Sequence, residues 1–283
     1  MNPDFYPQVS HAFDVAAEGY DALYGSNPIM AWMRQESLAV LRATFPPAGL
    51  LLEIGCGTGE EALTLSRQGF RIVATDISPA MIQVAQTKAH REGNSDVTWR
   101  VLPAGQLAQL VQEYGVAAFD GAYASFGGLN CEPQLDQLAV CLFDLLRPGA
   151  SLVCSIMNRW CLWEMAWSLL HLQFRQSFRR LRTGWTSAGL ASPGGSLSVP
   201  VRYYRPGGFA HQFGPYFEVQ SVLALPVLLP PPYLDVLFGS QTGLPQGIVG
   251  LERRLRDHFP FYALGDHFLI TLKRSRSSTR CQC

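Results

Sequence analysis

The sequence predicts an α/β fold: a seven-stranded, mostly parallel sheet with helices on both faces, N-terminal lid helices and two insertions. Three observations predict it. Between residues 49 and 156, five short apolar runs alternate with amphipathic segments, the pattern of parallel strands joined by crossover helices. The first run, Leu51-Leu52-Glu53-Ile54, passes directly into Gly55-Cys56-Gly57-Thr58-Gly59, so strand, tight turn and helix follow without a linker. The second run ends at Asp76, about 20 residues beyond the glycines, where an acid meets the ribose hydroxyls of a nucleotide-type ligand.

Each element has its own signal. Residues 10 to 24 read as a helix with Ser10 as N-cap and Phe13, Ala16, Ala17, Tyr20 and Tyr24 on one face. Asn27-Pro28 starts a second helix to Ala43, which Pro46-Pro47 stops. Strand one covers 49–54, a helix 60–68 and strand two 70–75. Ser78 caps a helix that starts at Pro79 and runs to about His90. Strand three at 97–102, a short helix at 107–114, strand four at 119–124 and a helix at 134–146 follow. Arg147-Pro148-Gly149 closes that helix before strand five at 150–156. The alternation returns with a helix at 207–213, strand six at 216–225, a helix from about 247 to 258 and strand seven at 268–273.

The units expected from this pattern are lid helices in 1–48, a ligand-binding core in 49–156 and an insertion in 157–204 that caps a substrate. The rest of the sheet occupies 205–274 around an inserted loop and helix, 226–265, and 275–283 is a disordered polar tail. The first insertion carries Trp160, Trp163 and Trp167 at helical spacing, then the basic stretch Arg175 to Arg182, then a Gly/Ser/Pro-rich loop from Thr183 to Pro200. The aromatic stripe is a core-facing helix side or the wall of an apolar pocket. The arginines are a solvated face or a contact for an acidic substrate or lipid headgroups.

Composition narrows the function. An apolar fraction of 48% suffices for a large core, and 22 basic residues balance 22 acidic ones, which gives no electrostatic case for nucleic acid. The seven cysteines lie mostly within apolar runs, as buried thiols do. Cys281-Gln282-Cys283 has no nearby histidine, so no metal site is expected. The first residues lack a basic and then apolar leader, and no stretch reaches the roughly 18 apolar residues of a membrane span. A cytoplasmic location is expected, with oligomeric state left open.

Four segments resemble the class I S-adenosylmethionine (SAM)-dependent methyltransferases. They are Leu52-Glu53-Ile54-Gly55-Cys56-Gly57-Thr58-Gly59, Ala74-Thr75-Asp76-Ile77-Ser78-Pro79-Ala80-Met81, Phe119-Asp120-Gly121-Ala122 and Leu146-Arg147-Pro148-Gly149-Ala150. The opening segment from Phe13 to Tyr24 is similar to the family's lid helix. The resemblance covers residues 10 to 156 well and the strands after 215 loosely. It implies a Rossmann-like sheet, SAM as cofactor and S-adenosylhomocysteine as product. It places Gly55, Cys56, Gly57, Thr58 and Gly59 along the amino-acid part of SAM, with Glu53 near its ammonium group. Asp76 would take both ribose hydroxyls, a charge-assisted contact, with Ile77 and Met81 along the adenine. Tyr20 and Ser125 would complete the cofactor site. The family commonly has an acid after strand three, but here the stretch is Leu102-Pro103-Ala104-Gly105-Gln106. Adenine contact therefore falls to Ala104, Gly105 or Gln106.

A nicotinamide-binding alternative is disfavoured. Its fingerprint places the last glycine one turn into the helix, whereas here Glu60-Glu61 open the helix where a pyrophosphate would sit. For the acceptor, Tyr24, Arg34, Phe126, Asn158, Arg159, Trp163 and Trp167 are candidate substrate contacts. His171 is the candidate base and Asn130 a group to orient the acceptor. His211 and His267 are read as structural. The expected function is SAM-dependent methylation of a small apolar or aromatic metabolite, with oxygen favoured as acceptor. The alternatives are a lipid or quinone methyltransferase at a membrane surface and an inactive SAM-binding protein.

Overall fold

The computed structural model describes residues 3–172, 178–182, 184–192, 194–237 and 244–276. Arg175, Thr183, Cys281 and Cys283, and with the cysteines most of the expected tail, lie outside the described residues. Nine strands and ten helices follow in order among those described. They are α1 (Phe5–Ala16), α2 (Tyr20–Gly25), α3 (Pro28–Thr44), β1 (Leu50–Ile54), α4 (Glu60–Ser66), β2 (Arg71–Asp76), α5 (Pro79–Arg91), β3 (Val97–Val101), α6 (Gln109–Tyr114) and β4 (Phe119–Ala124). Then come α7 (Leu135–Leu145), β5 (Leu146–Met157), α8 (Leu162–Leu170), β6 (Thr186–Ser192), β7 (Gly195–Val201), α9 (Pro206–Phe213), β8 (Phe217–Leu225), α10 (Gln246–Leu255) and β9 (His267–Arg274).

Seven strands form one sheet in the order β3-β2-β1-β4-β5-β9-β8, and β6 pairs with β7 separately. The first five pair in parallel, while β9 runs antiparallel between β5 and β8. Strand alternation explains the two covered faces. In β1, Leu52 and Ile54 face the core built with α6, α7 and α9, while Leu51 faces the one built with α3, α4 and α5. The strand order reverses between β1 and β4, which opens a crevice at their carboxyl ends.

Four local readings change. The helix expected at 10–24 is two helices broken at Gly19, and Ser10 lies inside α1, where its hydroxyl donates to the Ile77 carbonyl. The break lets Val9, Ala12 and Ala16 pack on the β6–β7 hairpin while Tyr20 and Tyr24 turn into a cavity. The Gly/Ser/Pro-rich loop is that hairpin: Leu190, Val199 and Val201 are buried at period two beneath small polar residues, a pattern the composition conceals. Pro200 sits in a two-stranded ladder, where a missing donor is tolerated. Arg147-Pro148-Gly149 is the start of β5, absorbed by a register shift opposite Phe119 and Gly121 and a left-handed Gly149. Finally, Arg180 is not solvated. It is 5% exposed and bonded to Glu164 and Asp266.

The second insertion packs against α3. Glu252 of α10 accepts from the backbone N–H groups of Val227, Leu228 and Leu229, and Glu36 of α3 pairs with Arg253 and Arg256.

Candidate active site

The turn after β1 is left-handed at Gly55, Gly57 and Gly59, with φ of 71°, 53° and 78°, which favours glycine at each. The three have different neighbours. A Cβ on Gly55 would stand 3.6 Å from the Gly128 Cα, where the loops after β1 and β4 meet. A Cβ on Gly57 would meet no protein atom, so a ligand can lie against this backbone. A Cβ on Gly59 would lie 2.5 Å from the Trp99 ring. Gly59 therefore serves helix–strand packing.

Asp76 ends β2 and is 8% exposed. Its Oδ2 accepts from the Gly57 N–H and its Oδ1 from the Ser78 N–H, each at 2.8 Å. Burial pushes its carboxyl up to about 6, against the lowering effect of those two N–H groups. Each oxygen retains a lone pair beyond the backbone contact, so two further donors fit. Ser78 caps α5 by accepting from the Met81 N–H, as its position before Pro79 predicts.

Glu53 is fully buried, and neither carboxylate oxygen has a hydrogen-bond partner among the described residues. Its pKa lies well above the ordinary range, first through burial and then through Glu61. The Tyr123 hydroxyl lies beside it and acts in the opposite direction, without completing a bond of normal geometry. An orphaned buried acid behind the glycine turn fits a cationic group on the ligand side.

Helices α1 and α2 dock around this turn. Asp14 accepts from the Ser78 hydroxyl and the Ala80 N–H. The Thr58 hydroxyl donates to Asp21, which shares Lys88 with Glu60. Thr58 thus fastens α2, and this contact occupies its hydroxyl. Arg34 pairs with Glu61 at 2.6 Å and stacks over Phe126 at 5.8 Å. Both acids that open α4 therefore have cations, so this helix start is less acidic than the sequence implies.

Three connected spaces line the carboxyl ends of the strands. The first is a cleft between Asp76, Ile77, Pro103, Ala104 and Glu132. Through Gly55 and Gly128 it joins a cavity of about 230 Å³ that contains Tyr20, Arg34, Gly57, Met81, Ser125 and Phe126. That cavity in turn shares Tyr24, Met30, Met157 and His267 with a third, of about 770 Å³, walled by the hairpin, α8 and the loop before α10.

Several predicted residues fall elsewhere. Gln106 is exposed and its side chain accepts from Gln109, so it does not face the cleft. Gly105 lies against Tyr6, whose hydroxyl a Cβ there would meet at 2.1 Å. Cys56, by contrast, lines the 230 Å³ cavity, and burial first, then Asp76, raises its thiol pKa well above the usual value. Asn130 is fully buried and fully used: Oδ1 accepts from the Met157 N–H, and Nδ2 donates to the Met157 and Arg202 carbonyls. It braces the loop rather than orienting an acceptor. His171 ends α8 exposed, with its ring 4.2 Å from Trp167 and its Nδ1 at the Trp167 carbonyl. It lines none of the three spaces, because α8 ends with its last turn toward the surface. Asn158 and Arg159 tie the end of β5 to Asp266, Tyr204 and Leu181, and the Trp163 indole donates to the Leu228 carbonyl. Trp167 does line the largest cavity.

Sequence reasoning missed Glu132 and His267. Glu132 lies in the cleft where the family's usual acid after strand three is missing. It accepts from the Tyr6 hydroxyl at 2.9 and 3.1 Å and from the Gln134 N–H. His267 opens β9 at the junction of the two larger cavities, with Nδ1 2.9 Å from Asp266 Oδ2. The signal for the second was the adjacent Asp266-His267 at the mouth of an apolar strand.

The strand order with its antiparallel β9 and the crevice at the switch point define a Rossmann-like methyltransferase fold. Residues 51–149 match the family described as Methyltransferase domain. Over 126 residues the chain is 33% identical to a ubiquinone biosynthesis O-methyltransferase of Cereibacter sphaeroides, which spans 42% of this chain and 46% of that protein. The chain spans less than half the length of the curated relatives it matches first. Among solved structures it is similar to the CcbJ methyltransferase of Streptomyces caelestis, with a TM-score of 0.60, 17% identity and coverage of 93% and 98% of the two chains. A geranyl diphosphate C-methyltransferase of Streptomyces coelicolor, bound to S-adenosyl-L-homocysteine, has a TM-score of 0.60 at 12% identity and coverage of 96% and 99%. Residues 51–149 are thus a methyltransferase domain, and the relatives and the shared fold support the class I SAM-dependent methyltransferase family.

Proposed function

We propose that this chain transfers a methyl group from SAM to a small, largely apolar or aromatic acceptor, with oxygen as the favoured acceptor atom. One observation carries the reading: the cleft, the 230 Å³ cavity and the 770 Å³ cavity are joined end to end. That series suits a nucleoside, a reacting centre and an acceptor. Asp76 would hold the ribose, the Gly57 backbone and Glu53 the amino-acid end, and Ile77, Ala104 and Glu132 the adenine. When bound, SAM supplies a methyl group already activated by its sulfonium. The chain aligns the acceptor and excludes water, with Tyr24, Trp167 and Tyr203 giving the acceptor cavity its aromatic wall.

Calorimetry with S-adenosylhomocysteine tests this reading. One-to-one binding is expected, and Glu132→Gln should weaken it about 10-fold, the scale of one hydrogen bond to a charged group. S-inosylhomocysteine, which lacks the adenine amino group, should not distinguish wild type from that variant. No binding to the folded chain would sink the reading.

A quinone or lipid acceptor at a membrane surface is the second reading. Leu170 and Leu172 are 80% and 75% exposed, and Phe178 is 47% exposed, all next to the α8 wall of the acceptor cavity. Arg180 contributes nothing to such a surface, since its charge is spent inside. Sedimentation with phosphatidylglycerol vesicles decides: under this reading, Leu170→Ser with Leu172→Ser should lose most of the bound fraction. A wild-type chain that stays in the supernatant at low salt leaves the small-metabolite reading.

A further inference from the structure

We propose that His267 is the general base of this site and that the acceptor is a hydroxyl of the phenol or enol class, whose proton its Nε2 removes. The inference rests on the methyl-donor reading above. Its ground is the placement of one ring. His267 is 9% exposed and lines both the 230 Å³ and the 770 Å³ cavities. Nδ1 faces Asp266 Oδ2 at 2.9 Å, which fixes the proton on Nδ1 and leaves the Nε2 lone pair on the opposite edge of the ring, toward the cavities. Among the described residues Nε2 has no hydrogen-bond partner. The Phe126 ring meets the imidazole edge-on at 6.5 Å and restricts its rotation.

Asp266 is itself held. Burial alone would raise its carboxyl, but Arg180 and His267 hold it well below the usual range, and Arg180 Nη2 donates to its Oδ1 at 2.6 Å. Arg180–Asp266–His267 is therefore a buried relay of fixed orientation, with Asp266 as a positioning residue.

The other titratable groups around the two cavities are committed. Glu164 pairs with Arg179 and Arg180, Glu60 with Lys88 and Glu61 with Arg34. Burial raises the pKa of Tyr20, Tyr24, Tyr203 and Tyr233, which keeps their protons on. The thiols of Cys56 and Cys131 are raised in the same way. That leaves His267 as the described group with a lone pair poised at the junction where acceptor and donor meet.

The step balances. The acceptor O–H proton passes to Nε2, and the oxygen pair so freed forms the new oxygen–methyl bond. The methyl–sulfur bond breaks with its electrons left on sulfur. One positive charge disappears at sulfur as one appears on the imidazole, where Asp266 faces it.

The first test needs no acceptor. Nitrogen-15 NMR of histidine-labelled protein should show the neutral His267 ring protonated at Nδ1 and bare at Nε2. A ring that stays doubly protonated to pH 9, or carries its proton on Nε2, overturns the proposal. The second compares wild type with His267→Gln on phenols from catechol to alkylated hydroquinones. For catechol, kcat should fall about 10²- to 10³-fold, the range of general-base catalysis, with KM and S-adenosylhomocysteine affinity within about 2-fold by calorimetry. For 4-nitrocatechol, already ionised at assay pH, the loss should stay under about 10-fold, since no proton has to be removed. Equal losses on both phenols would mean that His267 is only structural. A chain that binds S-adenosylhomocysteine but methylates no phenol overturns the acceptor class. A chain that does not bind it overturns the donor reading beneath.

Discussion

Replacing Arg180 with alanine should cost about 3–5 kcal/mol of folding stability, the range for breaking a buried ion pair from one side. The side chain is 5% exposed and uses every nitrogen. Nε donates to Glu164, Nη1 to the carbonyls of Asn158 and Asp266, and Nη2 to the Tyr233 hydroxyl and Asp266. Truncation leaves Glu164 and Asp266, 7% and 3% exposed, without that counter-charge. Arg180→Lys should recover little, because an ammonium cannot span the same fork of acceptors. The pH dependence gives a second readout. The folded pKa of Asp266 lies below its unfolded value of 3.8, so its contribution is present above that value and lost as pH falls through the folded one. Wild type should therefore lose stability below about pH 4 through this group, and Arg180→Ala should lose less of it. Urea titrations at pH 7 and pH 3 measure both. A midpoint at pH 7 indistinguishable from wild type would contradict the network.

The sequence was legible where the determining contacts are local. Gly55, Gly57, Asp76 and the Ser78 cap lie within one strand–turn–helix repeat, and their roles follow from backbone conformation and spacing. The order of elements from Leu50 to Met157 follows for the same reason. Contacts between distant segments left no such trace. Arg180 looks like one of a run of surface arginines until Asp266, 86 residues away, is folded against it. Glu132 meets Tyr6 across 126 residues. The hairpin was hidden because small residues supply its outward positions, so composition signals a loop while only the period-two burial of Leu190, Val199 and Val201 signals a sheet. His171 attracted notice because it lies among tryptophans, yet α8 carries it to the surface. His267 was passed over because it begins an ordinary core strand. The acidity argument at Glu60 and Glu61 weakens for a related reason, since Lys88 and Arg34 come from other helices to neutralise both. Preference for SAM rests instead on the open Gly57 backbone, the orphaned Glu53 and the spare lone pairs of Asp76.

Asp76→Ala should weaken S-adenosylhomocysteine binding about 10- to 100-fold, the scale of losing hydrogen bonds to a charged acceptor. Two effects add. The ribose loses its acceptor, and the Gly57 and Ser78 N–H groups lose the carboxylate that fixes the glycine turn against β2. Asp76→Asn should fall between, because one amide oxygen replaces two charged ones. The pH dependence distinguishes a charged acceptor from a merely structural side chain. Only the carboxylate offers acceptors at both oxygens, and its pKa is pushed up to about 6 by burial. Affinity should therefore be level above pH 7 and fall as pH drops through 6. The stability of the ligand-free chain should respond in the opposite sense. The folded pKa lies above the unfolded value of 3.8, so the contribution of this group is fully present below 3.8 and lost as pH rises through 6. Acidification thus favours the empty fold through Asp76 while it disfavours the complex, and Asp76→Ala removes both slopes. Calorimetry from pH 5.5 to 7.5, paired with urea midpoints over the same range, separates the two. An affinity that neither falls below pH 6 nor responds to the substitution would place the ribose away from Asp76 and overturn the donor site.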